Sequence, residues 1–395
     1  METSATLRVP QKIHYGRNAF ERIGREAKSK GTKALIISDQ VMEDLGYIKQ
    51  VCTYLRREKM KYAVYLGIQS EPTDTYVSEA LDVYTKKSCD VVISLGGGSC
   101  IDTAKAVAVV ATNRGSIADY IGGKKVANVS PAPHLAVPTT AGTGSEVTDA
   151  TVITNTTNHV KMMIKQPAFL PNTAIVDPLL TLSSPKSVTA ATGVDALSHA
   201  IEAYISRQAH PMTDTFALSA MEFIVNNLQT VYKEPEHVDA REAMSLGALQ
   251  AGIAFSNASV CLVHGMSRPI GALFHVPHGF SNAMLLPAVL DYSRSACIDR
   301  LADLGRIFDR SAANKSNDEA ANLAVASVKQ LCSSLDIPNL QTWGINKKDF
   351  ESAVPKMATD ALASGSPMNN PSVPSHSDIE ALYKVCYTYS FSDAM

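Results

Sequence analysis

Short apolar runs alternate with stretches of helical spacing through the first half of the chain. The runs Ala34–Ser38, Ala63–Leu66, Val91–Leu95, His134–Val137 and Thr173–Asp177 are rich in β-branched residues and uninterrupted by charge, which predicts strands buried on both faces of a parallel sheet. Between them, Val77–Thr85 repeats its apolar positions with a helical period. Thr151–Thr154 and Val160–Ile164, joined by residues 155–159, predict a hairpin attached to this half. Beyond about residue 183 the strand signals stop. Thr215–Val231, Asp239–Phe255, Ala296–Phe308, Asp318–Leu335 and Asp378–Tyr389 all carry apolar residues at helical spacing, so the second half should be helical throughout. The Ser-Ser-Pro of Ser183–Pro185 is a good helix entry, and it places the boundary between domains 1–183 and 184–395. Ser364–Ser375, rich in Ser, Pro and Asn, is expected to be an ordered loop.

A length of 395 residues suffices for two such domains. The net charge of -2, with no clustering of Lys and Arg, excludes a nucleic-acid partner. No run is long and apolar enough for a membrane span, and the N-terminal residues lack the pattern of an export signal. The seven cysteines are odd in number, scattered and never C-x-x-C, as expected of reduced thiols in a cytoplasmic protein without disulfides.

The candidate chemistry divides between the halves. Asp195 and His199 stand four apart in a helical stretch, which aims both side chains at one point. His264 and His278 belong to a segment in which Gly265, Pro269, Gly271, Pro277 and Gly279 are expected to break regular structure and let the chain bend back toward that point. Three imidazoles and one carboxylate suit Fe(II) or Zn(II). His275, close to His278, is an alternative fourth donor. Glu202 shares the helix face of Asp195 and His199, where it either supports a ligand or forms an ion pair.

In the first half, Gly96–Ser99 follows a predicted strand and opens the helix Ile101–Val110. Its glycines let backbone N–H groups approach a pyrophosphate at a helix start. The hydroxyl-rich Val137–Ser145 makes a second loop of this kind. Asp39 ends the first strong strand, either selecting a free ribose 2'-hydroxyl, hence NAD(H) over NADP(H), or capping the next helix. Lys161 in the hairpin either reaches the nicotinamide ribose or is simply solvated.

Taken together, Gly96–Ser99 with Asp102, Val137–Glu146, Ala191–Tyr204, His264–Met266 and Pro277–Gly279 make the chain resemble the iron-containing (group III) alcohol dehydrogenases from about Tyr15 to Tyr389. The resemblance implies an N-terminal Rossmann-like α/β dinucleotide-binding domain with a parallel sheet and an all-α C-terminal domain, the architecture shared with dehydroquinate synthase. It implies a cleft between the two domains, where metal meets nicotinamide. It also implies hydride transfer between a small primary alcohol or aldehyde and NAD(H), with one divalent metal, Fe(II) ahead of Zn(II). Carried over by position, the metal ligands are Asp195, His199, His264 and His278, the last preferred to His275 because it lies in Pro-His-Gly. The cofactor contacts are Asp39, Gly97, Gly98, Ser99, Asp102, Thr139, Thr140, Thr143 and Lys161, and His275 becomes a pocket residue. The expected partners are the small substrate and further copies of the chain in a homodimer or larger homo-oligomer.

Two departures stand out. Relatives often carry a second His four residues after the third ligand, where this chain has Arg268, so a histidine relay there is excluded. Arg268 either pairs with a carboxylate or holds an anionic substrate group, such as that of sulfoacetaldehyde, phosphonoacetaldehyde or succinic semialdehyde. In Glu71–Asp74, Thr73 replaces the Asn that relatives often have after Pro. Elimination chemistry of the dehydroquinate-synthase type and a non-catalytic NAD- or metal-binding sensor are the rival readings.

Overall fold

The computed structural model describes residues 4–158 and 160–391, so His159 of the predicted hairpin connection lies outside the described residues. A division falls between Ser184 and Pro185.

The unit Arg8–Ser184 holds strands β1 (Lys12–Tyr15), β2 (Lys33–Asp39), β3 (Lys61–Ile68), β4 (Val91–Gly96), β5 (His134–Pro138), β6 (Ala150–Asn155), β7 (Val160–Lys165) and β8 (Thr173–Val176). Its helices are α1 (Ile23–Lys28), α2 (Gln40–Asp44), α3 (Tyr47–Arg57), α4 (Asp74–Lys86) and α5 (Gly98–Asn113). Six strands form a wholly parallel sheet in the order β1-β8-β5-β4-β2-β3. One face packs Ala34, Ile36, Val91 and Ile93 against α1 and α3. The other packs Leu35, Ile37 and Val92 against α4 and α5. The helices that follow β2 and β4 thus lie on opposite faces, and in an open α/β sheet the crevice beyond the C-terminal ends of two such strands is where a ligand binds. The hairpin β6–β7 forms as an antiparallel pair.

The sheet departs from expectation at its edges. β3 is only half-buried along most of its length because it borders a single strand. β1 was not expected: four residues with exposed ends carry no legible period, and they are held by pairing with β8.

The helical unit from Pro185 contains α6 (Lys186–Ile205), α7 (Pro211–Lys233), α8 (Val238–Ala258), α9 (Leu262–Phe274), α10 (His278–Ser293), α11 (Ile298–Phe308), α12 (Asn317–Ser334), α13 (Lys347–Ala363) and α14 (His376–Tyr387). No strand forms among the described residues of this unit. α6 is buried nearly all round, as an apolar helix at the centre of a bundle must be. Among the described residues, no single helix is long and apolar enough to cross a membrane.

The segment around His264 breaks at residues 275–277, beside Pro277, but corrects the expectation of broken structure at Gly265, Pro269 and Gly271. It forms two helices, with Pro269 inside α9 and His278 opening α10. A helix-interior proline costs about 3 kcal/mol. Leu262, Val263, Met266 and Ile270 are buried on the same helix, at about 1.5–3 kcal/mol each, so burial outweighs the proline. The glycines serve close packing: a Cβ on Gly279 would lie 2.7 Å from the carbonyl oxygen of Ala191 on α6, and one on Gly265 would lie 2.7 Å from the Pro367 ring.

Candidate metal centre and nucleotide loops

α6 presents Asp195, His199 and Glu202 on one face, all buried. His264 comes from the first turn of α9 and His278 from the first residue of α10. One donor atom from each of Asp195, His199, His264 and His278 lies within 4.8 Å of the others. From Asp195 Oδ1, the Nε2 atoms of His199, His264 and His278 are 3.9, 3.5 and 3.9 Å away. Tetrahedral ligands at metal bonds of about 2.1 Å stand about 3.4 Å apart, so the four donors would have to draw somewhat closer together to hold a divalent cation. The His278 side chain is 38% exposed whereas the other three are nearly sealed, and the cluster therefore opens on that side.

The surroundings aim these donors. Glu202 accepts the Val263 N–H at 2.6 Å with one carboxylate oxygen, and its other oxygen lies 2.6 Å from His264 Nδ1. Nδ1–H is thereby spent, and Nε2, which faces the cluster, is the nitrogen that would ligate once its own proton is lost. Phe255 stacks on His199 with ring centroids 4.1 Å apart. Asn282 Nδ2 donates to Asp195 Oδ1 at 2.6 Å and lies 3.1 Å from Nε2 of both His264 and His278. One carboxylate oxygen and two imidazole nitrogens thus converge on one amide nitrogen. Burial alone would depress the His264 pKa, but Glu202 and Asp195 more than reverse this and push it up to about 9. Burial opposes the charge on Asp195 too, yet the histidines hold its carboxyl well below the usual carboxylate range. The site is an acceptor-rich pocket that draws positive charge.

His275 is not one of the converging donors. It is exposed and ends α9 in a left-handed conformation (φ 55°). Arg268 lies one turn beyond His264 on α9, and its Nη1 donates to Ser366 Oγ at 3.0 Å.

In the other unit, the loops after β4 and β5 lie side by side. Thr139 N–H donates to the Gly96 carbonyl, and Cβ atoms built on Gly97 and Gly98 would meet Thr140 at 3.8 Å and Thr143 at 3.0 Å. Gly97 caps α5, so the first N–H groups of that helix are without intrahelical acceptors and fit an anionic pyrophosphate. Asp39 caps α2, accepting from Met42 N at 2.9 Å, while its second oxygen lies 3.5 Å from Cys100 Sγ. Asp102 is committed to neighbouring loops: it accepts from Ser145 Oγ and from Val152 N. Lys105, fully buried, donates to Ser145 Oγ, Thr148 Oγ1 and the Ala150 carbonyl. Lys161 is paired with Glu71 at 2.5 Å.

Sequence reasoning missed Asn282, Lys105 and Phe255. Asn282 follows His278 by four residues, the spacing that drew attention to Asp195 and His199. Nothing in a residue-type pattern singles out a buried lysine or a stacked phenylalanine.

Comparison with known proteins agrees with this arrangement. Residues 10–178 match the family model for iron-containing alcohol dehydrogenase, and residues 189–387 match that for the C-terminal part of the Fe-containing alcohol dehydrogenase family. The chain belongs to the iron-containing alcohol dehydrogenase family. It is 37% identical over 383 residues to a 1,3-propanediol dehydrogenase of Citrobacter freundii, covering 96% of this chain and 98% of that one. It is 36% identical to an NAD-dependent methanol dehydrogenase of Bacillus methanolicus, covering 95% and 98%. A crystal structure of 1,3-propanediol oxidoreductase superimposes with a TM-score of 0.93 at 35% identity, covering 97% of this chain and all of that one. As a member of the iron-containing alcohol dehydrogenases, the protein is an oxidoreductase that works with a metal and a nicotinamide cofactor.

Proposed function

We propose that the protein interconverts small primary alcohols and aldehydes with NAD(H), using the cluster Asp195, His199, His264 and His278 to hold one divalent metal, Fe(II) or Zn(II). The observation that carries this reading is the convergence of four donors within 4.8 Å, three of them buried and His278 at the open side. A cation there supplies Lewis-acid polarisation of a substrate oxygen, and the reduced nicotinamide supplies the hydride.

The chain's own residues set the conditions. Glu202 keeps His264 in the tautomer whose Nε2 can ligate. The N–H groups of Gly97, Gly98 and Ser99 and the hydroxyls of Thr139, Thr140 and Thr143 line a cradle for the dinucleotide phosphates. Asp102 and Lys105 act through Ser145, holding the second loop in shape. Asp39 has one oxygen committed to its helix, while the other, which accepts only a weak thiol hydrogen bond from Cys100, has a lone pair left for a ribose 2'-hydroxyl. Lys161, paired with Glu71, keeps further ammonium hydrogens that could serve the cofactor. The buried free cysteines suit a cytoplasmic setting, and a homo-oligomer belongs to the same reading.

The test is NADH oxidation with a panel of small aldehydes on protein reconstituted with Fe(II) or Zn(II). Metal-dependent turnover is expected. Failure with every aldehyde on metal-replete protein would leave a cofactor-binding sensor instead.

A further inference from the structure

Arg268 and His264 leave the same face of α9 one turn apart. The Arg268 residue is half-buried, and among the described residues its one hydrogen bond goes from Nη1 to Ser366 Oγ. Burial lowers its proton affinity, and the charge of Glu202 opposes that loss. Among the described residues no hydrogen bond or ion pair joins Arg268 to Glu202, whose oxygens meet Val263 and His264. The carboxylate pairing considered from the sequence is thus not formed.

What is formed is an anchored guanidinium. Ser366 is buried, within the turn Ser366–Asn369, and it fixes the Nη1 side. Among the described residues the Nε–Nη2 edge, the planar fork that matches two oxygens of one anionic group, carries no protein acceptor. Charge points the same way. Asp195 and Glu202 would together balance a divalent cation held at the cluster, so Arg268 would leave the site with one positive charge for a monoanionic ligand to neutralise.

We propose that Arg268 determines substrate specificity by gripping the anionic end of a short aldehyde or alcohol whose oxygen-bearing carbon lies at the four-donor cluster. Carboxylate, sulfonate and phosphonate groups share the chemistry the fork recognises. The proposal rests on the dehydrogenase reading above and adds the substrate class to it. In the reduction, hydride from NADH adds to the carbonyl carbon and a solvent proton to its oxygen, giving the alcohol and NAD+ with the anionic end unchanged.

Two measurements on metal-loaded full-length protein test it. The first compares kcat/KM for succinic semialdehyde and sulfoacetaldehyde with butanal and propanal. Wild-type protein should favour the charged pair, and Arg268→Met should lower the charged-to-neutral ratio by roughly 10–100-fold, mainly through KM, as loss of a charge-assisted fork implies. Arg268→Lys should restore part of that ratio, since it keeps the charge without the fork. Because the ratio compares substrates on one preparation, a partly unfolded variant does not distort it. The second is calorimetric binding of the unreactive anions succinate and ethanesulfonate, which should weaken by a similar factor in Arg268→Met. An unchanged ratio, or anion binding indifferent to the substitution, overturns the proposal. Anion binding that depends on Arg268 without turnover of any aldehyde would keep the anion site and overturn the dehydrogenase reading.

Discussion

Glu202→Gln is the most informative single perturbation of the metal centre. The wild-type carboxylate is 1% exposed and serves two N–H groups at 2.6 Å, those of Val263 and His264 Nδ1. A carboxamide has only one oxygen for the two donors. If that oxygen stays with Val263, the amide NH2 faces His264 and demands an acceptor at Nδ1, which moves the imidazole proton to Nε2 and closes the lone pair that faces Asp195. If it stays with His264, a buried backbone N–H goes unpaired. A hydrogen bond to a charged group contributes about 1.5–3 kcal/mol, and about 1.4 kcal/mol is tenfold in affinity. Glu202→Gln should therefore weaken Zn(II) binding roughly 10–100-fold, in line with the usual effect of removing a residue that orients a ligand. Competition against a chromogenic chelator measures this directly, and the thermal midpoint of the metal-free variant reports any separate loss of stability. In metal-free protein, the His264 pKa should fall from about 9 when the carboxylate charge is removed, which proton NMR would follow. Zn(II) affinity within threefold of wild type would refute the argument that Glu202 holds the His264 tautomer.

Two further outcomes separate roles that coincide in one residue. Asp39 both caps α2 and is placed to meet a ribose: Asp39→Ser should keep the cap and raise the NADPH-to-NADH ratio of kcat/KM, whereas Asp39→Ala should also lose about 1 kcal/mol of stability. An unchanged cofactor ratio in both variants would leave Asp39 a helix cap and nothing more. Burial pushes Glu146 up to about 7 from 4.5. A raised pKa means its contribution to stability is complete below pH 4.5 and is lost as pH rises through 7, on the order of 3 kcal/mol in all. The thermal midpoint of Glu146→Gln should therefore gain on wild type between pH 4.5 and pH 8, and a constant difference would count against a neutral carboxyl at this position.

The parts of the fold that were legible in the sequence are those where one physical demand dominates. β2, β4, β5 and β8 are buried, so each had to be an unbroken apolar run. Asp195 and His199 had to stand four apart to share a helix face. β1 was illegible because its order comes from pairing with β8, a partner far along the chain. α9 was misread because local propensity spoke against it while long-range burial decided the outcome, and Gly279 acts through the Ala191 carbonyl, which no local window contains. Arg268 was visible as an anomaly, but its lack of a carboxylate partner became apparent only in three dimensions.

All four donors belong to one unit and join α6 to α9 and α10. A bound ion therefore acts as a staple across the long intervening chain, removing disorder from the unfolded ensemble as a cross-link does. Capture of an ion there would stabilise the assembled helical bundle over the unfolded chain by its binding free energy. The donor set accepts more than one first-row metal, so the ion retained follows from what the cell supplies while the chain is folding, and preparations grown on different trace-metal supplies should differ in resistance to heat and proteolysis as well as in rate.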